Sequence, residues 1–345
     1  MTTRLVIVIV AAAAIGCANK SVGGGAGGNG VGGNGSGGAG GGDGGGSGSG
    51  GGAGQGGGGS GGGGGGDVPM TCTGKSAPAM ADDSWTIMSG GLSRTVNVHV
   101  PSSYDPTKPM PLVLNFHGYS SNAQQEDLLS QMSAKADAAG FIAIHPEGTD
   151  SSWNAGACCG LAAQNGVDDI GFVKDILDTA ADKLCVDAHR IYATGMSNGG
   201  FLSNRIGCEL ADRFAAIAPV AGVTGVPTCT PSRPVPVIHF HGTADTLVPY
   251  DGSAAMGFVA VPDDFAAWAM RDSCTDTPST TYMMGDVTCS SYLMCAGGAQ
   301  VTLCTVQNGG HTWPGGTPVP ALGYTTTNIS ATDAMWSFFQ AHPLP

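Results

Sequence analysis

Basic residues are scarce: 13 Lys and Arg stand against 26 Asp and Glu, for a formal net charge of −13. With no basic patch and no interleaved aromatics, nucleic acid and anionic lipid surfaces are excluded as expected partners. Cys-x-x-Cys is absent and the histidines do not cluster with cysteines, so no metal is expected. No apolar run approaches the roughly 20 residues that a membrane-spanning helix needs. No strict Gly-x-y period with abundant proline runs through the glycine-rich stretch, which excludes collagen.

What is present begins with an export pattern. Arg4 precedes the apolar residues 5–15, followed by Gly16 and Cys17. A positive start, a short apolar core and a small-residue exit describe a cleaved signal over residues 1–16. Ala14-Ile15-Gly16-Cys17 resembles the bacterial lipobox, with Ala14 where Leu is commoner, and implies lipidation of Cys17. Membrane contact is then expected through that lipid anchor only; ordinary cleavage is the alternative. Residues 17–66 continue as a tether that is almost all Gly with scattered Ser, Asn and Ala. Such a stretch has too little apolar area to offset its ordering entropy, and its Gly-rich coil reaches about 35–40 Å. Eleven cysteines minus Cys17 leave an even number, which in an exported chain predicts up to five disulfides. Adjacent Cys158 and Cys159 are expected to bond to different partners, because a ring closed between neighbours is strained.

Residues 67–345 read as one domain. Arg94 to Val100 alternates as a half-exposed strand in which His99 faces solvent. Apolar runs at residues 112–116, 141–144, 190–194, 215–220 and 235–240 predict buried strands. Helices are expected over residues 122–139, 167–184, 199–211, 261–270 and 332–341, with Gly140 as a stop. Residues 274–304 resemble a hairpin, which sets Cys289 opposite Cys304. Alternating strands and amphipathic helices predict an α/β fold with a mostly parallel sheet covered on both faces.

The chemistry centres on Gly195-Met-Ser197-Asn-Gly199, which lies between a strand and a helix. In a nucleophile elbow that turn lifts the serine hydroxyl above the sheet edge, and the helix aims its first amides at the same place. A serine needs a histidine to take its proton. The chain order Ser, acid, His selects His311, in a loop after residues 301–306, over His239, whose place within a strand suits a core role. Asp245, just past the strand ending at residue 240, is the expected acid; Asp251 lies near a turn, and Asp263 and Asp264 begin a helix. Two backbone amides, of Asn198 and Tyr119, are expected to form the oxyanion hole. Asp168 and Asp169 lack further spaced oxygens for calcium, and helix capping or a hydrogen bond fixing the Trp153 loop is the preferred role. Trp153 and Trp313 flank the expected mouth and are candidates for stacking on substrate.

Phe116-His-Gly-Tyr, Gly-Met-Ser-Asn-Gly-Gly, Pro219-Val-Ala-Gly222, His241-Gly-Thr-Ala-Asp245 and Gly309-Gly-His-Thr-Trp-Pro-Gly315 resemble the esterase/polyhydroxybutyrate depolymerase family of α/β-hydrolases. That family includes bacterial feruloyl and acetylxylan esterases. The resemblance implies Ser197, Asp245 and His311 as the triad, Tyr119 and Asn198 at the oxyanion positions, no cofactor, and a Cys274–Cys295 bridge. Expected partners are small-molecule or polysaccharide-linked esters, and the chain is expected to be a monomer. Feruloyl or acetyl esters of plant cell-wall polysaccharide are favoured over polyhydroxybutyrate or short hydroxyacid oligomers. A peptidase on the same scaffold, or a non-catalytic carbohydrate-binding surface protein, are the other readings.

Overall fold

A computed structural model describes residues 72–345. The expectations for residues 1–16, for lipidation of Cys17 and for the tether up to residue 66 lie outside the described residues.

Ten strands form one sheet: β1 (Asp82–Ser89), β2 (Leu92–His99), β3 (Met110–Phe116), β4 (Ile142–Pro146), β5 (Val186–Met196), β6 (Ala216–Val220), β7 (Val237–Gly242), β8 (Ser279–Met284), β9 (Val287–Tyr292) and β10 (Val301–Val306). Their order across the sheet is β1-β2-β4-β3-β5-β6-β7-β10-β9-β8. From β4 to β10 every neighbouring pair is parallel, and antiparallel strands extend both edges. Parallel central strands are buried on both faces, so they read as continuous apolar runs rather than alternating ones. β3 shows this: Leu112, Leu114 and Phe116 join the core on one face while Val113 joins the core on the other.

Helices α1 (Ala123–Ser130), α2 (Met132–Ala139), α3 (Gly160–Gln164), α4 (Asp169–Lys183), α5 (Asn198–Glu209), α6 (Val261–Arg271) and α7 (Ala331–Ala341) cover the sheet. The single helix expected over residues 122–139 is two, because Gln131 takes a left-handed conformation between them. Asn122 caps α1 by accepting from the Gln125 amide, and Gly140 ends α2 in the left-handed region, where glycine meets no Cβ penalty. On one face Phe172 of α4 and Phe201 of α5 enter the core; on the other the Tyr192 ring stacks on Phe339 of α7 at 4.4 Å. Each such side chain removed from water contributes about 1.5–3 kcal/mol.

Two expectations are corrected here. β1 pairs with β2 along its whole length, so His99 is buried, with Nδ1 2.7 Å from Asp82 and Nε2 3.1 Å from Asp137. Cys158 and Cys159 are bonded to each other rather than to separate partners. The remaining bridges are Cys72–Cys185, Cys208–Cys229, Cys274–Cys295 and Cys289–Cys304, the last linking adjacent antiparallel strands β9 and β10. Among the described residues no helix is long and apolar enough to cross a membrane.

Candidate active site

Because β5, β6, β7 and β10 run parallel, their carboxyl ends lie along one edge of the sheet. Ser197 follows β5, Asp245 follows β7 and His311 follows β10, so topology delivers all three to that edge.

Ser197 sits between β5 and α5 with φ 58° and ψ −122°, a left-handed conformation unusual for a residue with a side chain. The turn is closed from below by the end of β3. A Cβ on Gly199 would stand 1.9 Å from the Phe116 carbonyl oxygen, and one on Gly195 would stand 2.4 Å from it. Neither position tolerates even alanine without moving β3, which is the physical reason for glycine on both sides of the serine. The Ser197 amide donates to the Val220 carbonyl at 2.9 Å, tying the turn to β6.

The acid and the imidazole meet directly. His311 Nδ1 donates to Asp245 Oδ2 at 2.7 Å, and both residues are buried. A carboxylate accepts only, so the contact puts the His311 proton on Nδ1 and leaves the Nε2 lone pair free as a base. Asp245 Oδ1 accepts from the Leu247 and Val248 amides, each at 2.9 Å. A second imidazole lies behind it: His241 Nε2 is 2.8 Å from the Val248 carbonyl oxygen and 3.4 Å from Asp245 Oδ2. The shorter contact takes the proton, so His241 Nδ1 accepts from His239 Nε2 at 3.0 Å. Burial alone would raise the Asp245 carboxyl, but His311 and His241 outweigh it and hold the group well below the usual carboxylate range. Burial, with His241 beside it, drives His239 far toward the neutral form.

On the other side of Ser197 lies the loop after β3. A Cβ on Gly118 would stand 3.3 Å from Ser197 Cβ, so this loop passes close to the hydroxyl. Among the described residues the Tyr119 amide donates to no protein acceptor, whereas its neighbours Ser120 and Ser121 donate to Ser151 and Gly118. The Asn198 amide is the first of α5 and has no acceptor within its own helix. Two amides are therefore available beside the serine. The Tyr119 ring is exposed at the rim.

Beneath that loop is a buried polar scaffold that sequence alone did not reveal. The His117 imidazole donates from Nδ1 to the Gly118 carbonyl at 2.7 Å and accepts at Nε2 from the Gly148 amide at 2.9 Å. Burial holds its pKa down to about 4, so it is neutral, and Glu147 at 3.8 Å makes no ion pair with it. Trp153 is fully buried and donates its indole N–H to the His117 carbonyl at 2.8 Å. The Asn198 side chain grips the main chain of Trp153, accepting from its amide at 2.6 Å and donating to its carbonyl at 3.1 Å. The Arg94 guanidinium stacks on Phe172, reaches over Trp153, and pairs with Asp169 at 2.9 Å inside the protein. Burial pushes the Asp169 carboxyl up, opposed by the Asn154 amide and by Arg94. Asp168 caps α4 through the Gly171 amide, and Asp169 accepts from the Asn154 amide at 2.6 Å, which fixes the Trp153 loop.

The two tryptophans are thus structural, correcting the expectation that their faces meet substrate. Trp153 lies under the loop after β3. Trp313, equally buried, donates to Thr332 Oγ1 at 2.9 Å, and that hydroxyl donates to the Ser130 carbonyl, so it fastens the His311 loop to α1 and α7. Asp263 and Asp264 lie in the first turn of α6 but do not cap it: Asp264 is buried and accepts from the Thr224 amide.

A model of the prolyl oligopeptidase family matches residues 129–231. Feruloyl esterase B of Piromyces equi is 35% identical over 234 residues, covering 63% of this chain and 42% of that protein. A bifunctional acetylxylan esterase/xylanase of Neocallimastix patriciarum is 27% identical over 224 residues, covering 64% of this chain and 31% of that protein. The chain spans less than half the length of both curated relatives. Among solved structures, an acetyl xylan esterase from Aspergillus awamori superposes with a TM-score of 0.55 at 13% identity, covering 75% of this chain and 99% of that one. The sheet order and the serine turn at its carboxyl edge are those of the α/β-hydrolase fold. Within that class, its sequence relatives are feruloyl and acetylxylan esterases.

Proposed function

We propose that the chain is a serine carboxylic-ester hydrolase with Ser197 as nucleophile, His311 as base and Asp245 as the acid that orients it. The observation carrying this reading is the buried 2.7 Å contact between His311 and Asp245 at the sheet edge that also holds the strained Ser197 turn. His311 Nε2 takes the Ser197 proton as the hydroxyl oxygen attacks the ester carbonyl. The tetrahedral oxyanion rests on the Tyr119 and Asn198 amides. Collapse expels the alcohol, which receives the proton from His311. Water, deprotonated by the same nitrogen, then attacks the acyl-enzyme and releases the acid and Ser197. Each oxyanion donor is worth roughly 10²–10³ in kcat.

The favoured substrates are feruloyl or acetyl esters borne on plant cell-wall polysaccharide, in keeping with the relatives' names; hydroxyacid oligomers are the alternative esters. The pattern from Arg4 to Cys17 supports export, with a lipid anchor at Cys17 as the finer reading. A peptidase is the second reading, favoured by the prolyl oligopeptidase match. That match contains Ser197 but ends before Asp245 and His311, so it reports the scaffold around the nucleophile.

A fluorophosphonate is expected to label the protein and to fail on Ser197→Ala. Turnover of methyl ferulate, acetylated xylan, hydroxybutyrate oligomers and a matched amide then ranks the substrates. No labelling and no turnover would leave a non-catalytic carbohydrate-binding protein; amide cleavage matching ester cleavage would favour the peptidase.

A further inference from the structure

Cys158 and Cys159, bonded to each other, lie buried in the loop between Trp153 and α3. The pair touches the side chain of Asn198, and the glycine that follows it touches that of Tyr119, the two residues whose amides flank Ser197. Cys158 Sγ is 3.8 Å from Asn198 Nδ2, the same group that donates to the Trp153 carbonyl. Gly160, the next residue after the pair, has φ +75°, and a Cβ there would stand 2.7 Å from Tyr119 Cε2 and 2.6 Å from Ser152 Cβ. The Tyr119 ring therefore rests against Gly160, the first residue of α3, directly after the bonded pair.

The turn is also clamped from outside. The Cys158 carbonyl accepts from the Ala155 amide at 3.1 Å, and the Ala157 amide donates to the Gly225 carbonyl at 2.8 Å. A Cβ on Gly156 would stand 2.3 Å from that same Gly225 oxygen. Backbone on one side and the oxyanion residues on the other leave the turn little room to shift without moving Asn198, Tyr119 or both. Oxyanion catalysis depends on donors held within a few tenths of an ångström of where charge develops.

We propose that the Cys158–Cys159 disulfide is a positioning element of the oxyanion hole, holding Asn198 from one side and Tyr119 from the other. This rests on the serine-esterase reading. It makes no contact with the reacting atoms; it acts through the two residues that do. Opening the bond frees two side chains and the peptide between them, so the donors lose alignment while the substrate still binds. The effect belongs in kcat rather than KM, which separates it from general loosening of the fold.

The test is Cys158→Ala/Cys159→Ala in the full-length protein, with a thermal midpoint and ester kinetics measured beside the parent. The expected result is a folded variant whose kcat is lower by roughly 10–100-fold with KM within about threefold. A folded variant with kcat within about twofold of the parent overturns the proposal. So does a loss carried by KM alone. Should the variant not fold, the parent is titrated with a water-soluble phosphine and trapped with iodoacetamide. The phosphine supplies two electrons to the S–S bond, the sulfurs take two protons from water, and the phosphine leaves as its oxide. Loss of kcat is expected to track alkylation of the peptide carrying Cys158 and Cys159, and unchanged turnover with that peptide fully alkylated overturns the proposal. A parent protein that neither reacts with fluorophosphonate nor turns over ester overturns the esterase reading first, and this inference with it.

Discussion

The two sides of Ser197 are built on different principles. On the side of the base, side chains hold side chains: His239, His241, Asp245 and His311 form a continuous run of contacts of 3.0, 3.4 and 2.7 Å. On the oxyanion side, side chains hold main chain: Trp153 and His117 bond to carbonyls and an amide, and Asn198 grips the Trp153 backbone. The difference follows from what each side must present. A base must present one nitrogen in one tautomer, which a side-chain partner decides. An oxyanion hole presents amides, and amides move only if the backbone moves. A change on the base side is therefore expected to damage chemistry with little loss of stability, and a change on the oxyanion side to damage both.

The largest effect is expected at Asp245→Asn. The remaining oxygen still accepts from the Leu247 and Val248 amides, so the loop persists. The new amide, however, faces His311 Nδ1 with a donor and forces the opposite tautomer, removing the base from Nε2. A kcat about 10⁴-fold lower is expected with an unfolding midpoint close to the parent's. A loss below tenfold would mean that this carboxylate does not set the imidazole.

Next in size is Arg94→Leu. Removing the guanidinium leaves Asp169 buried without its cation, and breaking a buried pair from one side costs about 3–5 kcal/mol. Urea unfolding should show that loss, and Arg94→Leu/Asp169→Asn should regain a good part of it, because the charge is gone while an acceptor remains for the Asn154 amide. If the single variant costs under about 1 kcal/mol, the pair does not anchor the Trp153 loop, and the contrast between the two sides weakens.

How much of this was readable follows the same division. The serine turn and the placement of Asp245 and His311 after strand ends at one sheet edge were legible because strand ends, glycines and chain order are local or sequential signals. Side-chain direction is not. Trp153 and Trp313 sit beside mouth residues in sequence yet point inward, each drawn by an acceptor on another element: the His117 carbonyl and the Thr332 hydroxyl. In the sequence Arg94 is one member of an alternating strand; its inward position on β2 becomes informative once Asp169 and Phe172 are known to lie opposite. β1 carries a period-two signal in Trp85, Ile87 and Ser89, all buried, and it is this strand that brings Asp82 to His99. A general rule about ring strain argues against Cys158–Cys159, and the two cysteines are nonetheless bonded to each other.

The smallest of these effects, and the one that tests the oxyanion side most selectively, is expected from the pH dependence of His117→Gln. In the folded protein His117 is buried, donates to Gly118 and accepts from Gly148, so protonation would displace the Gly148 amide and charge a group without water. Its pKa falls from 6.5 to about 4. The unfolded chain takes up this proton first. Stability tied to the neutral imidazole is thus fully present above about 6.5 and drains away as pH falls toward 4. The shift corresponds to ~3 kcal/mol across that window. Glutamine carries one donor and one acceptor but no titrating group, so the variant lacks this slope. The stability gap between parent and variant should be widest at pH 7 and shrink by up to ~3 kcal/mol on approaching pH 4. Comparing the two proteins cancels the other titrating groups, including Asp272, whose carboxyl burial raises to about 7 and whose contribution runs the opposite way over much of the same range. A gap that stays constant from pH 7 to pH 4 would show that this imidazole is free to charge in the folded state, and the oxyanion loop would then need another anchor.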